Sequence, residues 1–171
     1  MKTLLLLRHA KSSWDDTSLA DFDRPLADRG RKAAPRMGKE IMARGWLPDA
    51  ILASPAKRTR QTWALVAAEL PGTPKAVFPQ ALYTAAPQQL LQKIRKVAAR
   101  KTTLLLIGHN PEMEELAAQL AGPGSDSSAL ARMSEKFPTA ALARFTFDGK
   151  WKDLDLGKAL LTHFVRPKDL K

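Results

Sequence analysis

The chain has 171 residues and no cysteine, which suits one domain over 1–171 and excludes disulfides, thiolate metal sites and cysteine nucleophiles. No apolar run approaches the ~20 residues that cross a bilayer, and Thr3–Leu7 is too short for a secretory core, so a cytoplasmic protein with no membrane partner is expected. Twenty-eight lysines and arginines against 17 acids give a net charge of +11, which favours an anionic partner: nucleic acid, a phosphorylated small molecule or an acidic phosphoprotein surface.

The first strand is expected over about 2–8, where Leu4-Leu5-Leu6-Leu7 runs into Arg8-His9. A polar loop to about Ala27 follows. Asp28 has cap chemistry for a helix to Ala43 or Arg44 that Gly45 stops, with Pro35 expected to kink it or delay its start. The second strand, about 49–53, leads to Ser54-Pro55, read as a cap and first helical residue, and then to Arg58. That helix should end near Leu70, before Pro71-Gly72, and a short strand should occupy about 75–78.

Pro87 opens a helix with Leu90, Leu91, Ile94, Val97 and Ala98 on one face. The strand at about 102–108 is apolar throughout, as expected for burial on both faces, and ends on Gly108-His109. Asn110-Pro111 repeats the cap-then-proline start of a helix to Leu120 or Ala121, and Gly122–Ser128 reads as a loop. Two tail strands, about 139–147 and 160–166, complete the chain. The alternation of strand and helix predicts a three-layer α/β/α fold with a mainly parallel central sheet, to which the tail adds an antiparallel edge.

Ligands of open α/β sheets bind beyond the carboxyl ends of the strands. Three strands here would deliver Arg8, His9, Arg58 and His109 to that edge. A neutral imidazole is a good phosphoryl acceptor when cations hold the phosphoryl oxygens, and guanidinium forks bind two oxygens at once. Neighbouring arginines would keep His9 neutral near pH 7. His109, protonated, would hold oxygens opposite the arginines. Each residue alone also has a bland reading, as a loop-bonded or packing histidine or a surface arginine. Glu112, Glu114 and Glu115 suit the first turn of their helix and are placed outward, because they would repel phosphate. Trp14 follows the proposed nucleophile, and His163 is read as a strand residue without chemistry.

At these residues the chain resembles the histidine phosphatase superfamily, which is phosphoglycerate mutase-like. The motifs are Arg8-His9, Ser54 through Arg58, and His109. Arg24-Pro25-Leu26, the pattern of Ser54-Pro55, Arg58 and Gln61-Thr62, Leu82-Tyr83 and Gly108-His109-Asn110-Pro111 resemble the SixA-type phosphohistidine phosphatases. The resemblance implies a transient phosphohistidine on His9, a phosphate pocket of Arg8, Arg58 and His109, no cofactor and no metal. Two positions depart from the family. Ala10 replaces its glycine, so the turn there must be ordinary or slightly strained. The segment Phe78–Thr84 lacks the catalytic glutamate many relatives carry. Asp21 is the substitute candidate for proton donor and Asp23 the next.

A missing acid favours phosphoramidates over esters, because an imidazole leaves readily once protonated. The expected function is therefore removal of phosphoryl groups from phosphohistidine in a protein, for example an acidic phosphotransfer domain docked on the basic surface. Alternatives are a small-molecule phosphomonoesterase and a non-catalytic phosphate-binding module. A nucleic-acid binder lacks a recognised motif or aromatic platform. A monomer is expected.

Overall fold

The structure is a computed structural model that describes residues 1–170. Five strands form one sheet: β1 (Lys2–Arg8), β2 (Ala50–Ala53), β3 (Thr103–Gly108), β4 (Leu142–Phe147) and β5 (Leu160–Val165), in the order β2-β3-β1-β4-β5. β3 pairs in parallel with both β1 and β2, while β4 runs antiparallel to β1 and to β5. Four strands thus point one way and β4 opposes them. The helices are α1 (Asp28–Arg44), α2 (Lys57–Ala67), α3 (Pro87–Arg95), α4 (Glu112–Leu120) and α5 (Ser127–Glu135).

Strand alternation explains the unbroken leucine runs. Leu4, Leu6, Leu104 and Leu106 pack with α3, α4 and α5. Leu5, Leu7, Leu105 and Ile107 face α1 and α2. All eight are fully buried, each worth about 1.5–3 kcal/mol of transfer free energy. Apolar side chains are therefore needed at every position, and the three-layer α/β/α architecture follows.

Several expectations change. The strand at 75–78 reduces to a single bridge between Val77 and Leu52. The loop at Gly122–Ser128 ends in α5, whose start is capped by the Asp126 carboxylate accepting from the Ala129 N–H at 2.8 Å. α1 runs through Pro35 without ending, and Gly45 closes it in the left-handed conformation (φ 71°). The penultimate strand starts at Leu142 rather than 139 because the chain turns sharply at Ala140 (φ 61°), whose N–H meets the carbonyls of Arg8 and His9, both at 3.0 Å.

Gly30 lets α1 lie against the nucleophile loop. A Cβ at this position would sit 2.2 Å from the Lys11 carbonyl oxygen, which already accepts from the Ala27 N–H. Backbone cannot yield as a side-chain tip does. Gly30→Ala should therefore destabilise the fold by about 1–3 kcal/mol and displace residues 9–12, read as a lowered midpoint in urea. An unchanged midpoint would show that the helix can shift freely.

Candidate active site

The carboxyl ends of β1, β2 and β3 bring the four predicted residues together. Because side chains alternate, Arg8 leaves β1 toward α4 and His9 toward α2. They splay apart at the strand end instead of sharing a face. Arg8 Nη1 donates to the Phe137 carbonyl at 3.0 Å, and the Asn110 amide donates to the same oxygen at 3.0 Å. Glu114 is half-buried and its charge favours the Arg8 guanidinium, so it does not face wholly outward as expected.

His9 is 7 % exposed, and its Nδ1 lies 2.7 Å from the Ala10 carbonyl oxygen. A carbonyl can only accept, so Nδ1 carries the proton and the lone pair of the neutral ring sits on Nε2. Burial, reinforced by His109, Arg58 and Arg8, lowers the His9 pKa from 6.5 to about 3. Ala10 is fully buried and has no positive φ, so the turn is ordinary. Its N–H donates to Thr62 Oγ1 at 3.0 Å, while the Thr62 hydroxyl donates to the Arg58 carbonyl at 2.7 Å. Gln61 accepts from the Leu26 N–H at 2.8 Å. The pair Gln61-Thr62 thus ties α2 to the nucleophile loop.

His109 faces His9 with ring centroids 5.3 Å apart. Its Nδ1 is 3.3 Å from Arg58 Nη2, which can only donate, so Nε2 carries the proton and donates to Ser54 Oγ at 2.7 Å. Ser54 therefore orients His109 and does not cap α2, which begins at Lys57 after Ala56. Burial first, then Arg58, lowers the His109 pKa from 6.5 to about 4. The ring is neutral at pH 7 in this state, not the imidazolium expected. A bound phosphoryl dianion would shift it back toward protonation. Gly108 makes room for the Met113 side chain, since a Cβ there would meet its sulfur at 3.0 Å.

Arg58 is buried on the first turn of α2 and is gripped by Asp21: Nη1 donates to the backbone oxygen at 2.8 Å and Nη2 to the carboxylate at 3.1 Å. The same carboxylate accepts from the Tyr83 hydroxyl at 2.5 Å and from Arg24 Nε at 3.2 Å. Tyr83, then Arg58 and Arg24, hold the Asp21 pKa down to about 2, so the carboxyl carries no proton to donate at neutral pH. Asp23 has no such side-chain contacts among the described residues. Arg24 also donates to Ser12 Oγ at 2.9 Å and lies 3.5 Å from the Trp14 ring centroid. Tyr83, Ser54 and Arg24 belong to the site, although sequence reasoning gave none of them a role there. Only the short Arg-Pro-Leu, Ser-Pro and Leu-Tyr signatures pointed to them.

The buried Nε atoms of Arg8 and Arg58 have no hydrogen-bond partner among the described residues. Buried donors without partners cost about 1–3 kcal/mol each, and an oxyanion between the two guanidinium groups would satisfy such donors. No cluster of three or more histidine, aspartate or glutamate side chains arranged to hold a metal is found among the described residues, and no helix among them is long and apolar enough to cross a membrane.

The two neutral histidines tie stability to pH. Their folded pKa values, about 3 and about 4, lie below the ordinary 6.5, so the unfolded chain takes up protons first as pH falls. The contribution is complete above about pH 6.5 and is lost progressively below it. The thermal midpoint should drop between about pH 6.5 and 5, above the range where carboxylates titrate. His9→Asn should make that slope shallower in scanning calorimetry. An identical slope would mean that His9 is solvated and titrates normally.

A family model described as histidine phosphatase superfamily (branch 1) matches residues 4–79. The uncharacterized protein Rv1276c of Mycobacterium tuberculosis is 40 % identical over 163 residues, spanning 95 % of this chain and all of the relative. Among solved structures, the proposed phosphohistidine phosphatase SixA of Nakamurella multipartitia matches with a TM-score of 0.82 at 29 % identity, covering 97 % of this chain and 96 % of that one. The structure of a proposed phosphohistidine phosphatase SixA from Agrobacterium tumefaciens matches at 0.80 with 30 % identity, over 97 % and 98 % of the chains. The chain belongs to the histidine phosphatase superfamily, branch 1, and is of the SixA type.

Proposed function

We propose that the protein hydrolyses phosphohistidine carried on another protein, through a phosphoryl intermediate on Nε2 of His9. The observation that carries this reading is the tautomer. The Ala10 carbonyl holds the proton on Nδ1 and leaves the Nε2 lone pair for attack. That lone pair forms the new P–N bond while the substrate's P–N bond breaks and its imidazole nitrogen takes a proton from water. Water then attacks the phosphoryl on His9, releasing phosphate and regenerating the neutral ring. Arg8 and Arg58 hold the oxygens throughout, His109 joins them only once the bound phosphoryl charge has protonated it, and this positive charge supplies what a metal would otherwise give. A chelator is expected to leave turnover unchanged.

The phosphoramidate preference rests on the proton inventory. The Asp21 carboxyl is ionised, and the Tyr83 phenol, its pKa raised first by burial and then by Asp21, has its proton engaged on that carboxylate. An alkoxide leaving from an ester would find no ready acid, whereas an imidazole picks up its proton from water. Two solved structures of similar length are of proposed phosphohistidine phosphatases, which supports the same reading.

A side-by-side assay of a phosphohistidine-bearing domain, p-nitrophenyl phosphate and a sugar phosphate tests it. Phosphohistidine should have the highest kcat/KM. Faster turnover of the sugar phosphate would make the protein a phosphomonoesterase, and binding without turnover of any would make it a phosphate-binding module.

A further inference from the structure

A second cationic cleft lies beside the phosphate pocket. It has a volume of about 240 Å³, and its walls carry Lys11, Arg29, Lys136 and Lys168, with Ala33 and Thr139 between them. All four cations are exposed. Among the described residues no carboxylate lines the cleft, although Asp28, Glu135 and Asp169 are the chain neighbours of three of the cations. Asp28 is paired with Arg31, and Asp169 is held by Arg166 at 2.9 Å.

The cleft is built on fixed backbone. Gly30 presses α1 against Lys11, and Arg36 donates to the carbonyls of Pro167 and Leu170, which pins the tail segment carrying Lys168 to the same helix. The cleft also shares its walls with the reaction centre. Lys11 is two residues from His9, at most about 7 Å along the chain. Lys136 precedes Phe137, whose carbonyl anchors Arg8, and Thr139 precedes Ala140, whose N–H ties down the carbonyls of Arg8 and His9.

Four like charges gathered with no carboxylate lining their cleft among the described residues repel one another, and an anion in the cleft relieves that repulsion. Three of the four are lysines, which present mobile point charges on flexible stems. A rigid guanidinium fork suits the fixed geometry of a phosphate, whereas mobile ammonium groups suit scattered carboxylates on a protein surface.

We infer that this cleft is a docking subsite for aspartate and glutamate side chains flanking the phosphohistidine of a protein substrate, an inference that rests on the phosphohistidine reading for its place in catalysis. The carboxylates engage the cleft while the phosphoryl group enters between Arg8 and Arg58. Specificity for acidic surroundings then comes from residues that take no part in the chemistry.

The test uses Arg29→Gln/Lys136→Gln/Lys168→Gln, which leaves the catalytic groups intact. The control is Lys96→Gln/Arg100→Gln/Lys152→Gln, an equal charge change near the opposite end of β1, where Lys2 Nζ bonds the Ala99 and Lys101 carbonyls. Substrates are two synthetic phosphohistidine peptides, one flanked by glutamates and one by glutamines. The cleft variant should raise KM for the glutamate peptide about tenfold with little change in kcat. The glutamine peptide and the control variant should change by less than about twofold. An unchanged KM, or an equal rise in the control, would overturn the subsite.

Fluorescence anisotropy with the unphosphorylated glutamate peptide separates this outcome from failure of the functional reading. If neither peptide is hydrolysed but the cleft variant loses binding that the control keeps, the subsite stands and the phosphohistidine reading falls. Equal binding by both variants, or tighter binding of single-stranded DNA than of the glutamate peptide, would overturn the subsite.

Discussion

Replacing His9 by alanine should lower kcat for a phosphohistidine substrate by on the order of 10⁴-fold or more, because no other group in the pocket can accept the phosphoryl. His109 cannot take over. Its Nδ1 lone pair accepts from Arg58 and its Nε2–H is committed to Ser54. The arginines remain in place, so phosphate should still bind as a competitive inhibitor of any residual activity. His9→Gln should be equally inactive, which separates loss of the lone pair from loss of volume. Because the folded nucleophile has a pKa near 3, its protonation should not limit kcat/KM of the wild type at any pH between about 5 and 7. A fall in that range would come from the substrate or from His109. Retention of more than about one per cent of turnover in His9→Ala would place the nucleophile elsewhere.

The second large effect concerns Arg58. Arg58→Ala should cost about 10²–10³ in kcat, the usual consequence of removing one group aimed at developing oxyanion charge. Arg58→Lys should recover little. Two of the guanidinium nitrogens already serve the Asp21 carbonyl and carboxylate while a third, Nε, stays free, a division that an ammonium cannot reproduce. The Asp21 carboxylate supports that geometry. Asp21→Asn should therefore slow phosphoramidates and esters by similar factors, about tenfold, since it loosens the clamp for both. A much larger loss for esters alone would restore Asp21 as the proton donor. These rates are read in parallel on a phosphohistidine peptide and p-nitrophenyl phosphate.

How far the site could be read from sequence depends on the range of the interactions. Arg8, His9 and His109 were legible because each ends an apolar run, and a parallel sheet sends such ends to one edge. Arg58 followed from the helix start after β2. The roles of Ser54 and Asn110 were harder, since serine or asparagine before proline has the same signature whether it caps a helix or serves a site. Ser54 turns to His109 across 55 positions. Asn110 does both, accepting from the Glu114 N–H at 3.2 Å while donating to Phe137. The Asp21 network joins residues 37 and 62 positions apart, and no local periodicity encodes such contacts.

In the fold, the five strands of the sheet and the long helices followed from pattern alone. The helix Ser127–Glu135 was hidden behind glycine, proline and serine signals, and only Ala129 and Met133, four apart and buried, hinted at it. The short strand near 75–78 failed because Pro74 and Pro79 bracket it and leave room for one bridge.

Base-quenched digestion and mass spectrometry of the enzyme during turnover of a phosphohistidine peptide tests the nucleophile most directly. One added phosphoryl group should be found on the peptide containing residue 9, and fragmentation should place it on the His9 ring. It should disappear once substrate is exhausted. Phosphoryl on His109, or none on His9 while product forms at full rate, would contradict the proposed attack.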